Sequence, residues 1–127
     1  MEVLGVGVDI VSIERVRRGL EDGGDRFITH VFTSPEREAA SASGDPVAYL
    51  ATAFAAKEAV FKTMDIDWDT GVQLNEVEVH NAPNGRPYVK LNGIFASCAR
   101  ERGATDILLS LSYERDYAVA CALLVCS

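Results

Sequence analysis

An α+β fold, with mostly antiparallel strands packed against one long helix, is predicted by three features of this sequence. Val47 to Met64 runs without a glycine or proline to stop a helix. Asn84-Gly85, a strong hairpin signal, separates the alternating stretches Gln73–His80 and Tyr88–Leu91. Ile107–Ser112 and Tyr117–Val125 read as two further strands joined by a short charged turn at Glu114-Arg115-Asp116. No repeat, linker or low-complexity segment divides the chain, and 127 residues suffice for a single domain spanning 1–127.

In order, Glu2–Asp9 is valine-rich and reads as a first strand, with Gly5 and Gly7 allowing another backbone to come close. Ser12 is the expected N-cap of a helix whose core face carries Ile13, Val16 and Leu20, and Gly23-Gly24 should close it. Asp25–Phe32 looks like a short helical piece. Thr33-Ser34-Pro35-Glu36 then offers a cap, a proline at the first helical position and an acid at the positive end of the helix dipole. Ala40–Gly44 reads as a small-residue loop, and Asp45-Pro46 as the cap and first turn of the long helix. Asp65–Gly71 is polar and irregular around Trp68. Asn92 should cap a last helix carrying Ile94, Phe95, Cys98 and Ala99, ended by Gly103.

The long helix holds the anomaly. At ~100° per residue, Leu50, Phe54, Phe61 and Met64 fall in one stripe roughly 80° wide, and Lys57 sits in its middle. Glu58 and Lys62 lie together along one flank at i and i+4. The bland reading is a snorkelling lysine and a surface ion pair; the functional one is that something polar meets this helix.

Composition excludes several classes. Hydrophobic residues at 48% and charged ones at 24% fit a globular chain and not a disordered one. A net charge of −7 argues against general affinity for nucleic acid. Positive charge is nonetheless uneven, since Arg15, Arg17 and Arg18 cluster; they are a solvated helix face or a dock for an acidic partner. The odd set Cys98, Cys121 and Cys126 fits no metal-ligand spacing and reads as reduced packing residues. Reduced cysteines fit a cytoplasmic protein; Met1-Glu2 opens without the basic region of a secretory signal, and Tyr117–Cys126, the longest apolar run, is about half a membrane span.

Asp9 at the end of a glycine-containing strand, with Glu58 and nearby lysines, is a kit suited to a pyrophosphate. Mg²⁺ commonly takes one or two protein carboxylates and fills its octahedron with water and phosphate oxygens.

These residues carry a resemblance. Gly5-Val6-Gly7-Val8-Asp9-Ile10-Val11 resembles the G-x-G-x-D-[IV] opening of the holo-acyl-carrier-protein synthase type of phosphopantetheinyl transferase, and Phe54-Ala55-Ala56-Lys57-Glu58-Ala59 is similar to its F-A-A-K-E-A motif. Phe27–Glu36 resembles F-x-x-R-[IV]-[FL]-T-x-x-E with His30 for arginine; Gly85-Arg86-Pro87 resembles G-[KR]-P, and Leu109–Ser112 resembles V-S-I-[ST]. The matches keep their order along nearly the whole chain.

The resemblance implies transfer of 4′-phosphopantetheine from coenzyme A to a serine of an apo acyl carrier protein, with release of 3′,5′-adenosine diphosphate. It implies Mg²⁺ ligands at Asp9 and Glu58, phosphate-facing Lys57 and Lys62, and Glu58 as general base. Gly85, Pro87, Ser112 and Tyr113 would join Lys62 in holding coenzyme A. It also implies a homotrimer with sites between subunits, and carrier docking at Arg15; Arg17 and Arg18 extend that patch along the same helix. Two departures stand out: Ala53 where the family commonly has arginine, and Tyr113 where it commonly has histidine. Both usual residues hold the adenosine 3′-phosphate, and Arg86, Arg115 or a neighbouring subunit would have to replace them. A degenerate homologue that binds carrier without transfer is the alternative, and a purely structural trimer module a weaker third.

Overall fold

A computed structural model describes residues 1–127. Strand β1 (Glu2–Ser12) leads into α1 (Ile13–Val31), α2 (Ser34–Ala42) and α3 (Pro46–Lys62); β2 (Val77–Asn81), β3 (Pro87–Leu91), α4 (Gly93–Glu101), β4 (Asp106–Glu114) and β5 (Tyr117–Cys126) follow. All pairings are antiparallel, in a three-stranded sheet ordered β1-β5-β4 and a separate β2-β3 hairpin. This is the α+β architecture expected from the sequence, with two short 3₁₀ turns at Trp68–Thr70 and Leu74–Glu76 added.

The three-stranded sheet is covered on one face by α3. Alternation along β5 turns Ala118, Ala120, Ala122 and Leu124 inward, all fully buried. On β1 the inward positions are glycines, and the reason is measurable. A Cβ on Gly5 would stand 2.0 Å from the Thr63 carbonyl oxygen, and one on Gly7 would stand 1.9 Å from that of Ala59. Only a bare backbone lets β1 lie directly on the C-terminal half of α3.

The long helix differs from its expected form. A single apolar stripe would bury only a narrow face, yet Ala48, Ala51, Ala53, Ala55, Ala56, Ala59 and Val60 are buried around more than half of its circumference, leaving the flank of Glu58 and Lys62 open. The sheet lies on one side, and α1, α2 and β2 lie on the others. Alanine is what makes this possible, being a strong helix former small enough for close neighbours on several sides.

Local chemistry explains the remaining differences. What is numbered α1 is two helical pieces: as expected, the first closes at Gly23-Gly24, where Gly24 leaves helical geometry (φ 55°, ψ −144°), and a second runs on to Val31 across that kink. Helix α2 continues to Ala42 through the expected small-residue loop. Its capping box is complete, with Thr33 Oγ1 accepting from Glu36 N and the Glu36 carboxylate accepting from Thr33 N. Residues 74–76 form a 3₁₀ turn where a strand was expected, so that Glu76 reaches α4. Asn92 makes no side-chain cap; the Glu76 carboxylate accepts from Ile94 N and Phe95 N in its place. Trp68 stacks on Phe61 with ring centroids 4.2 Å apart. All three cysteines are free, and Cys121 is exposed, so it is not the packing residue expected.

Candidate active site

Because β1 rests on α3 through Gly5 and Gly7, Asp9 is delivered above the last turn of that helix. Lys62 Nζ donates to Asp9 Oδ1 at 2.9 Å and to the Val8 carbonyl at 3.1 Å. Lys62 thus bridges the two elements, and the Glu58–Lys62 ion pair suggested by their spacing gives way to Lys62–Asp9. Lys62 keeps 48% of its side chain exposed and Asp9 keeps 15%, so the pair adds little stability but holds a cation at the surface.

One turn earlier on α3, Glu58 opens onto the same place. Asp9 and Glu58 both line a cavity of about 500 Å³, together with Arg15, Ser12, Phe54 and Tyr117. Burial holds the Glu58 carboxyl above the ordinary carboxylate range, the charge of Asp9 pushes it further up, and Lys62 pulls it partly back. The two carboxylates at this cavity, Asp9 paired with Lys62 and Glu58 without an ion-pair partner, form a hard-oxygen donor set of the kind a divalent cation takes. The protein's own share would be these two carboxylates, since no group of three or more potential metal-binding side chains comes together.

A second cavity of about 250 Å³ lies on the opposite flank of α3, where Gly85, Pro87, Ser112 and Tyr113 converge. Tyr49, Thr52 and Ala53 of α3 form one wall, and Val79 and Asn81 of β2 form another. No charged side chain lines it, and neither Arg86 nor Arg115 is among its walls. In register, Asp9 pairs with Ala120 of β5, which pairs with Leu111 of β4. The two cavities therefore sit at one level on opposite edges of the three-stranded sheet.

The structure brings Asp9, Glu58, Lys62 and Arg15 together at the first cavity, and Gly85, Pro87, Ser112 and Tyr113 at the second. It separates Arg17 and Arg18 from both, because each is drawn to Glu14 on exposed α1, at 3.2 and 3.6 Å. Lys57 is the clear correction. It lines neither cavity and meets no solvent, being fully buried with Nζ 2.8 Å from both Glu36 oxygens. Burial alone lowers its tendency to hold a proton, and the Glu36 carboxylate opposes that. Sequence reasoning missed Glu36 as its partner; an acid was needed for any buried lysine, but the Thr-x-x-Glu pattern had already been explained as a cap. Tyr117 was missed too, and as an ordinary strand residue it gave no signal.

Comparison with known proteins identifies the family. A family model described as the 4′-phosphopantetheinyl transferase superfamily matches residues 5–122. The chain is 44% identical to a holo-acyl-carrier-protein synthase of Desulforudis audaxviator, over 97% of this chain and 93% of that protein. It superposes on the crystal structure of the synthase from Neisseria meningitidis with a TM-score of 0.87 at 29% identity, covering 97% of this chain and 98% of that one. The ACPS–CoA complex of Chronobacterium ammoniagenes superposes with a TM-score of 0.82 at 33% identity, covering 97% of each chain. On the family match and these near full-length likenesses, the chain belongs to the 4′-phosphopantetheinyl transferase superfamily, as an enzyme of its holo-acyl-carrier-protein synthase type.

Proposed function

We propose that this protein transfers 4′-phosphopantetheine from coenzyme A to a serine hydroxyl of an apo acyl carrier protein, using Mg²⁺ and releasing adenosine 3′,5′-bisphosphate. The observation that carries the reading is Asp9 and Glu58 facing one cavity, with Lys62 bound to Asp9 and Arg15 on its rim. Asp9 and Glu58 would hold the cation, which when bound supplies positive charge to the pyrophosphate oxygens. Lys62 offsets charge on the departing phosphate. Glu58, whose carboxyl binds protons more readily than usual, takes the proton of the carrier serine as its oxygen bonds to phosphorus. The nucleophile belongs to the carrier, so this chain needs none of its own.

The second cavity takes the coenzyme A nucleotide in this reading, and the Chronobacterium complex with CoA supports that donor. A homotrimer joins one chain's first cavity to a neighbour's second. The outer sheet face supports assembly: Val6, Val8, Ile10 and Tyr117 are each more than half exposed there. No helix is long and apolar enough to cross a membrane, and we place the enzyme in the cytoplasm, serving fatty-acid or polyketide carriers.

The uncharged second cavity favours one other reading, a homologue that binds carrier without transfer. Mass spectrometry of an apo carrier incubated with the protein, coenzyme A and Mg²⁺ separates the two. The transferase adds one phosphopantetheine mass, lost on chelation; carrier binding without mass gain supports the adaptor. With 3′-dephospho-coenzyme A the transferase loses little rate, because Ala53 and Tyr113 offer no cation to a 3′-phosphate.

A further inference from the structure

We infer that Lys57 and Glu36 form a positioning clamp that sets the width of the second cavity and so tunes donor affinity. This rests on the transferase reading, but it assigns the motif lysine a different task from touching phosphate.

The β2–β3 hairpin shares no ladder with the three-stranded sheet, so backbone pairing does not fix its place. Side chains must do so. Lys57 Nζ donates to the Glu36 carboxylate at 2.8 Å, to the Val77 carbonyl at 2.5 Å and to the Leu74 carbonyl at 3.3 Å. Three ammonium protons meet four acceptors, so one proton is shared between two of them. Glu36 in turn accepts from Val79 N at 2.6 Å and from Thr33 N at 2.8 Å. Helices α2 and α3, the 74–76 turn and β2 thus close on one dry ion pair, with both side chains 0% exposed.

This knot lies directly behind the cavity. Ala53, one helical turn before Lys57, lines one wall, and Val79, held through its N–H by Glu36, lines the opposing wall. Asn81 Nδ2 donating to Tyr49 Oη at 3.2 Å is the only other side-chain hydrogen bond between hairpin and α3, and it is exposed. Neither Lys57 nor Glu36 lines the cavity, so the pair acts through the walls it holds together.

The test is coenzyme A binding by calorimetry, whose stoichiometry reports the folded share, combined with steady-state kinetics. Glu36→Gln and Lys57→Met should each weaken coenzyme A binding by about tenfold. KM should rise in parallel while kcat stays within about twofold, and the double variant should lose no more than either single one. Where Glu36→Gln does not fold, Glu36→Asp keeps the charge with a shorter reach and should give a smaller loss in the same direction. Reduced stoichiometry with unchanged affinity would assign the pair to stability alone and overturn the clamp. Loss in Lys57→Met without loss in Glu36→Gln would overturn it in favour of a direct phosphate contact. No binding by the unaltered protein would sink the transferase reading and the clamp with it; normal binding by it with indifferent variants would sink the clamp only.

Discussion

Single side chains carry the electrostatics, and their neighbours decide what each can do. Of three clustered arginines, Arg17 and Arg18 are both drawn to Glu14, whereas Arg15 borders the cavity shared by Asp9 and Glu58. A carrier arriving with acidic side chains would meet Arg15 where the chemistry happens. Arg15→Glu should weaken carrier binding about tenfold, more at low salt than at high, with coenzyme A affinity unchanged. Arg18→Glu should cost much less, and equal losses in a salt titration of both variants would return the dock to the whole patch. The arginine cluster was legible in the sequence, but its internal division was not, because Glu14 pairs with either neighbour by spacing alone. Lys57 shows the same limit more sharply. Its place in an apolar stripe marked it as unusual, yet only tertiary packing shows that Glu36, 21 residues away, receives it.

At the scale of elements, the contact of β1 with α3 builds the site. The sequence carried this plainly, since two glycines alternating in a strand mean close approach on one face, and the Asp45-Pro46 cap fixed where the helix starts. The boundaries it missed depended on partners elsewhere: the 74–76 turn exists so that Glu76 can cap a helix that begins 17 residues later. Gly7→Ala tests the contact. Its new methyl would meet the Ala59 carbonyl oxygen at 1.9 Å, so β1 must lift from α3 and take Asp9 with it. The variant should lose about 1–3 kcal/mol of stability in thermal or denaturant unfolding, and its transferase rate should fall at temperatures where it is still folded. Ordinary stability with ordinary rate would mean that β1 does not need its seat.

For the molecule as a whole, fold class and family followed from motifs kept in order along the chain, while the division into two cavities on opposite sheet edges required coordinates. In the transferase reading proposed above, that division calls for a partner copy, and the exposed valines of β1 offer it a surface. Sedimentation should report three times the 13.7 kDa chain mass, and a monomer at working concentration would remove the intersubunit site. Beneath all of this stands one claim, that Asp9 and Glu58 act together on one divalent cation. The direct measurement is the rate of holo-carrier formation against Mg²⁺ concentration, for the unaltered protein, Asp9→Asn and Glu58→Gln. A saturable Mg²⁺ requirement is expected, with both variants down by about 10²-fold or more and their combination hardly worse than either. A variant that keeps the full rate and the same Mg²⁺ dependence would contradict it.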